Sequence, residues 1–269
     1  MPMPIDIVAM RHGESEINLA ARRSRHADDS DFTPEFLRRQ DAQFRLTDKG
    51  VEQVRVASTW IQKHLTAEAP FDAHFVSGFV RARESAAYLD LPGALWEVSP
   101  YLHERDWGIL TQMTEKGRLE AFRVALQQRH EEPYFFRPHG GERLSDVCVR
   151  LEIMRDRFAR EYIGKRVLLV AHGEVLWALR ILYEDMTPEE FAREHFADGG
   201  RAGMKNCQIL HYTRRNPHTG DVGLHMEWMR TVAPTVTDVP TSWYRIVRKL
   251  RNSEELLADV NLTKRLISR

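Results

Sequence analysis

Continuous apolar runs and helical apolar stripes alternate along this 269-residue chain. Residues 5–10, 73–77 and 166–171 are short apolar runs with many β-branched side chains, and each predicts a buried strand. Residues 48–65 and 144–161 carry apolar side chains at steps of three and four, which predicts amphipathic helices. Because such strands and helices alternate, the sequence predicts an α/β fold with a mostly parallel central sheet.

The chain is expected to form a three-layer α/β/α sandwich with helices on both faces of the sheet and one antiparallel edge strand. Residues 207–213 and 224–229 predict the strands of a hairpin, with the turn at 216–220. Residues 1–232 are predicted to form the main domain. Residues 233–269 are basic, and we expect them to form a helical extension that packs on this domain or on a partner, such as the second copy of a homodimer.

Composition and charge indicate which kinds of partner and which cellular compartment are expected. Lys and Arg number 39, as do Asp and Glu, so the formal net charge is zero and an extended basic face for nucleic acid is not expected. Two cysteines do not make a disulfide framework, which fits a reducing cytoplasm. No apolar stretch approaches the ~20 residues of a membrane span, and the N-terminus lacks the features of a secretion signal. A cytoplasmic protein without a membrane partner is therefore expected.

Two of the predicted strands end in a histidine followed by a glycine. His12 and Gly13 follow the first strand, and His172 and Gly173 follow the strand at 166–171. Because ligands of α/β sheets bind at the carboxyl ends of the strands, both histidines are expected to face one ligand. One of them could act as a nucleophile while the other, protonated, binds the oxygens of a phosphoryl group.

Neighbouring side chains favour a phosphate as that ligand. Arg11 can bind phosphate oxygens through two parallel hydrogen bonds, and Gly13 permits close approach of the backbone. Asn18 can donate a hydrogen bond to a phosphate oxygen without adding charge. Of Arg81 and Arg83, which follow the strand at 73–77, one can face the same edge while the other lies on the surface. Phosphoryl transfer is catalysed mainly by positioning and positive charge, so these groups would suffice without a metal or another cofactor.

These residues belong to a series of short motifs that resembles the histidine phosphatase superfamily, which includes the cofactor-dependent phosphoglycerate mutases. The motifs follow the order of that family and are Arg11–Ser15 with Asn18, Leu46–Gly50, Ser77–Ala86, Glu104–Gly108, Gly140–Glu142, Ala171–Gly173 and Asn206–Cys207. The chain departs from the family pattern at Gly78, Ser85 and Arg143, where the family has proline, threonine and serine.

The resemblance implies a phosphoglycerate mutase-like fold, a catalytic domain over residues 1–232 and covalent catalysis through a phosphohistidine. In this mechanism His12 attacks phosphorus, and Glu104 protonates the leaving oxygen and then activates water. The other ring nitrogen of His12 needs a fixed acceptor, such as a backbone carbonyl. The residues that the resemblance places against the substrate are Arg11, Gly13, Asn18, Arg81, His172 and Gly173.

Three functions remain open at this point. The first is a metal-independent phosphatase that acts on a small phosphomonoester, and the second is a mutase that returns the phosphoryl group to the substrate. The mutases of the family carry a lysine and paired arginines after the Glu104–Gly108 motif. Lys116, Arg118 and Arg123 lie nearby here, but no Arg-Arg pair is present, which favours the phosphatase. The third is an inactive module that binds a phosphorylated ligand.

Overall fold

A seven-stranded sheet forms the centre of the molecule in a computed structural model that describes residues 3–67, 69–197 and 203–267. Its strands lie in the spatial order β3-β2-β4-β1-β5-β6-β7. They comprise β1 (Asp6–Arg11), β2 (Ala73–Ser77), β3 (Trp96–Ser99), β4 (Arg166–Ala171), β5 (Ile209–Thr213), β6 (Trp228–Val232) and β7 (Tyr244–Arg245).

The strands β3, β2, β4 and β1 are mutually parallel, so their carboxyl ends meet at one edge of the sheet. The strand β5 is antiparallel to β1, and on its other side it pairs antiparallel with β6, as the hairpin prediction requires. The prediction of a single antiparallel edge strand was therefore wrong. The chain between β5 and β6 turns back on itself through an antiparallel bridge between Arg215 and Val222, so the two strands pair antiparallel, and β7 then extends the sheet by pairing with β6.

Helices cover both faces of this sheet, which confirms the three-layer α/β/α fold. They include α1 (Glu16–Ser24), α2 (Pro34–Arg38), α3 (Asp48–His64), α4 (Val80–Tyr88), α5 (Glu115–Ala121), α6 (Arg123–Glu131), α7 (Leu144–Glu161), α8 (Gly173–Glu184), α9 (Pro188–His195) and α10 (Ser253–Asn261).

Alternation along the strands divides the core into two layers. On β1, Ile7 and Ala9 pack with the helices α7 and α8, whereas Val8 and Met10 pack with α3 and α4. This is the two-residue period of a strand that is buried on both faces. The helix α7 has the predicted bounds, and its apolar stripe from Leu144 to Phe158 lies in the first of these layers.

The short helices α5 and α6 cover the carboxyl edge of the parallel strands, and hydrogen bonds tie this cover to the chain around α1 and α2. The Glu115 N–H donates to Ser24 Oγ at 2.7 Å, and Gln112 Nε2 donates to the carbonyl of Phe36 at 3.0 Å. Any ligand at the strand ends would therefore lie beneath a fixed roof.

Residues 233–267, within the segment predicted as a helical extension, first pack on the main domain. The indole N–H of Trp60 donates to the Asp238 carbonyl at 2.8 Å, and Tyr244–Arg245 joins the sheet as β7. Only Ser253–Asn261 is helical in the described part of this segment, and every residue of that helix is exposed. In the described ranges, none of the helices has the length and apolar character that crossing a membrane requires.

Candidate active site

His12 lies at the carboxyl end of β1 with 1% of its surface exposed. Its Nδ1 lies 2.6 Å from the carbonyl oxygen of Gly13, so Nδ1–H donates and Nε2 keeps its lone pair. The Nε–H of Arg81 donates to His12 Nε2 at 3.3 Å. Burial, followed by the charges of Arg81 and Arg11, holds the pKa of His12 well below its ordinary value. The ring is therefore neutral, and its Nε2 carries the lone pair that a nucleophile needs.

His172 follows β4, and its ring centroid lies 5.0 Å from that of His12. Its Nε2 lies 2.7 Å from Ser77 Oγ, and this oxygen also accepts the N–H of Phe79 at 3.3 Å. With the Ser77 hydroxyl as the donor to Nε2, the ring proton lies on the buried Nδ1, which has no hydrogen-bond partner among the described residues. Burial, followed by the charge of Arg81, lowers the pKa of His172, so this ring is neutral, and the expectation of a protonated second histidine was wrong.

Two arginines supply the fixed positive charge. Arg81 is 3% exposed, and its terminal nitrogens donate to the Asp41 carbonyl at 2.7 Å and to the Asp41 carboxylate at 3.1 and 3.3 Å. Arg83 is exposed, so Arg81 is the arginine of this pair that faces the strand ends. Arg11 donates from one terminal nitrogen to the carbonyl of Met204, and its buried Nε has no hydrogen-bond partner among the described residues. That N–H is available to an anion.

The remaining predicted contacts surround these four groups. Asn18 accepts a hydrogen bond from Asn206 Nδ2 at 3.2 Å, and the same nitrogen donates to the His12 carbonyl at 3.1 Å. The amide oxygen of Asn18 is thus occupied, and its side chain lines the cavity. Gly173 begins α8 beside Arg11, where an added Cβ would lie 3.6 Å from Nε.

Gly13 is required by packing as well as by the site. Its N–H donates to Ser85 Oγ at 3.1 Å, and an added Cβ would lie 2.4 Å from the carbonyl oxygen of Gly50. We expect Gly13→Ala to lower the free energy of unfolding by about 1–3 kcal/mol, because backbone must move to admit the methyl group.

Urea denaturation measures this loss. Gly78→Ala is the matched control, since a Cβ there meets only Val98 at 3.7 Å. Equal stability of the two variants would contradict the packing argument.

Glu104 faces His172 across the cavity, with Oε2 4.0 Å from His172 Nδ1. Its Oε1 accepts the N–H groups of Arg105 at 3.0 Å and of Glu174 at 3.3 Å. Burial and then the negative charge of Glu174 raise the pKa of Glu104 to about 7. Burial also acts on Glu174, but its ion pair with Arg105 at 3.1 Å holds the pKa of Glu174 below its ordinary value. Two neighbouring carboxyls whose pKa values are shifted in opposite directions are typical of a general acid and its electrostatic partner.

A cavity of about 190 Å³ lies beside these groups: Arg81, Glu104 and Asn18 line its floor, whereas Arg11 and the buried His12 and His172 lie behind its lining. Trp107, Arg118 and Arg129 line its upper wall. The guanidinium of Arg129 lies 4.7 Å from the centre of the Trp107 ring, and that of Arg105 lies 4.4 Å from the same ring. Lys116 and Arg123, in contrast, are exposed. Arginines thus line the cavity at both ends, and Arg81 is paired with the carboxylate of Asp41.

Sequence reasoning did not assign roles to Asp41, Glu174, Asn206 or Arg129. The only signal was their position, because Asn206 stands in a motif of the family and Glu174 directly follows Gly173. Within residues 3–67, 69–197 and 203–267, no group of three or more His, Cys, Asp or Glu side chains is arranged to hold a metal ion.

Several known proteins are similar to this chain in sequence. The histidine phosphatase superfamily (branch 1) matches residues 7–213. A 2,3-bisphosphoglycerate-dependent phosphoglycerate mutase of Methylorubrum populi is 30% identical over 199 residues, which cover 72% of this chain and 85% of the mutase. A mutase of the same description from Azorhizobium caulinodans is 28% identical over 203 residues and matches 72% of this chain and 88% of its own length.

Solved structures share the fold. A mycobacterial glucosyl-3-phosphoglycerate phosphatase superposes with a TM-score of 0.60 at 22% identity, over 77% of this chain and 92% of the phosphatase. An α-ribazole phosphatase from Shigella flexneri gives a TM-score of 0.59 at 18% identity, over 82% and 96% of the two chains. With the family motifs in order and the family match extending over residues 7–213, the chain belongs to the histidine phosphatase superfamily.

Proposed function

We propose that the protein is a phosphatase that hydrolyses a small phosphomonoester through a phosphohistidine on His12. The observation that carries this proposal is the state of the His12 ring. Its Nδ1 proton is fixed on the Gly13 carbonyl, so its Nε2 carries the lone pair, which accepts the Nε–H of Arg81 at 3.3 Å. A neutral imidazole held in this way is an activated nucleophile.

In the first step His12 Nε2 attacks phosphorus, the N–P bond forms and the ester P–O bond breaks. The leaving oxygen takes the proton of Glu104, which the raised pKa of that carboxyl keeps in place near neutral pH. Arg11, Arg81 and the Nδ1–H of His172 stabilise the charge on the three oxygens of the phosphoryl group.

In the second step a water molecule attacks the phosphohistidine. The carboxylate of Glu104 accepts a proton from this water, the new P–O bond forms and the N–P bond breaks. Inorganic phosphate leaves, His12 recovers its lone pair and Glu104 is protonated again. Each group thus returns to its starting state after one hydrolysis.

The cavity supports a small substrate. Its volume of about 190 Å³ is below the ~300–1,000 Å³ that is typical of sites for drug-sized ligands. Arg118 and Arg129 in the upper wall favour a substrate that carries a second anionic group beyond the ester.

A mutase is the second candidate function, and two observations favour it. The curated relatives at 28–30% identity are described as phosphoglycerate mutases. Arg118 and Arg129, although they are not adjacent in sequence, line one wall of the cavity and can take the place of paired arginines. The two reactions differ only in whether water or the substrate hydroxyl receives the phosphoryl group.

A panel of phosphorylated metabolites tests both candidates. We expect the purified protein to release inorganic phosphate from at least one small phosphomonoester, with turnover retained in EDTA. For 3-phosphoglycerate, we expect phosphate release without 2-phosphoglycerate, measured by phosphorus NMR with and without 2,3-bisphosphoglycerate. Formation of 2-phosphoglycerate faster than the release of phosphate would contradict the phosphatase proposal and support the mutase. Binding of phosphate with no turnover on any substrate would contradict both.

A further inference from the structure

Two sets of contacts tie the candidate general acid to the first turn of α8. The N–H groups of Arg105 and Glu174 both donate to Glu104 Oε1, at 3.0 and 3.3 Å. The side chains of the same two residues pair with each other, with Arg105 Nη1 3.1 Å from Glu174 Oε2. The carboxylate of Glu174 is therefore anchored to the peptide segment that carries Glu104.

This anchor is rigid because Arg105 is 2% exposed and fully engaged. Its Nε donates to the Glu142 carbonyl at 2.9 Å, and its Nη2 donates to the Phe136 carbonyl at 2.6 Å. Its guanidinium also stacks on Trp107. Glu174 consequently has one well-defined position behind the acid.

The hydrogen bonds also identify the oxygen that carries the proton. Oε1 of Glu104 accepts two backbone N–H bonds, which disfavour a proton on that atom. Oε2 lies 4.0 Å from His172 Nδ1 and faces the cavity. The transferable proton is thus on Oε2, the atom nearer to the phosphoryl site.

Charges of opposite sign compete over this proton. The charged or titratable groups that face the two carboxyls come from several elements and are Arg11 of β1, Arg81 of α4, Arg105 after β3, Arg129 of α6, His172 after β4 and His195 of α9. Arg11 and Arg81 favour the ionised form of Glu104, whereas Glu174 opposes it. A bound phosphate dianion would neutralise the two arginines and leave the effect of Glu174 dominant.

We propose that Glu174 is the positioning residue of the general acid: its N–H fixes Oε1 of Glu104, and its negative charge keeps the proton on Oε2 until the leaving oxygen accepts it. This proposal rests on the proposed phosphatase function, because it assigns Glu104 the role of proton donor. Glu174 is not among the residues that line the cavity, and it acts through its contact with Glu104.

Glu174→Gln tests the charge while keeping the backbone donor and the side-chain volume. For an alkyl phosphate, we expect the basic limb of kcat/KM to move to lower pH by about one unit. The loss of activity would then be about ten times larger at pH 8 than at pH 5.5, by the same one-unit relation. Glu174→Asp retains the charge and should restore most of the wild-type midpoint, while the exposed Glu189→Gln is the charge-matched control.

A purely structural role would give a different result. The rate of Glu174→Gln would then fall by the same factor at every pH, and the midpoint would stay in place, which would overturn the proposal. Titration of the Glu104 carboxyl by carbon-13 NMR, assigned through its loss in Glu104→Gln, gives the same comparison without turnover. If no substrate is hydrolysed, the proposed function fails, and this titration still decides whether Glu174 holds the proton.

Discussion

His12→Ala is expected to lower turnover by at least about 10⁴-fold on every phosphomonoester that the wild-type protein hydrolyses. The variant loses the nitrogen that forms the bond to phosphorus. Neither water nor another side chain replaces that nitrogen as a nucleophile of equal reactivity. The phosphoenzyme should disappear as well. Rapid quenching of wild-type protein with a phosphorus-32 substrate should trap an acid-labile, alkali-stable phosphoryl group, and the variant should trap none.

A variant that failed to fold would give the same loss, so two controls are needed. The thermal midpoint and the far-ultraviolet circular dichroism of His12→Ala show whether the sheet is intact. His218→Ala removes an exposed histidine from the β5–β6 connection and should retain both turnover and phosphoenzyme. Near wild-type rates for a folded His12→Ala protein would remove His12 as the nucleophile and with it the proposed function.

The parts of the fold that the sequence predicted are those fixed by local pattern. The helix α7 and the strand β4 have the predicted bounds, because an unbroken helical stripe and an unbroken apolar run each admit one interpretation. The start of α9 is likewise set by local sequence, since Thr187 Oγ1 accepts the N–H of Glu190 and the Glu190 carboxylate accepts the N–H of Thr187.

The errors arose where pairing overrides local pattern. The second hairpin strand was predicted at 224–229 but lies at Trp228–Val232, because the cross-strand partners on β5 set its register. Leu224, which favoured the earlier position, is 69% exposed. The short strand β7 has no pattern of its own, since two residues that pair with the edge of β6 cannot show a period.

The same division applies to the candidate site. Arg11, His12 and His172 were predictable because they end adjacent parallel strands, and the topology then requires them to meet. Asp41 and Arg129 were not predictable, because each reaches the cavity from a segment whose path is set by tertiary packing rather than by a strand end. The charge balance of the site therefore came from the structure, whereas its nucleophile came from the sequence.

Glu104→Gln should lower kcat/KM on an alkyl phosphate by about 10²–10⁴-fold at pH 6, the usual contribution of a general acid. An alkoxide leaves poorly without a proton, whereas p-nitrophenolate leaves well. The loss on p-nitrophenyl phosphate should therefore be much smaller. Equal losses on the two esters would show that Glu104 does not supply a proton to the leaving oxygen.

The activity that depends on Glu104 should decrease as the pH rises. An acid must be protonated to act, and burial with Glu174 raises the pKa of Glu104 to about 7. The wild-type activity on the alkyl ester should therefore be present below about pH 7 and fall tenfold per unit above it, whereas an ordinary glutamate near 4.3 would already be ionised at pH 6. Because the second ionisation of the substrate near pH 6 acts equally on both proteins, the ratio of wild-type to Glu104→Gln activity isolates this group. That ratio should fall with increasing pH, with its midpoint near 7, and a ratio that stays constant from pH 5 to 9 would exclude Glu104 as the acid.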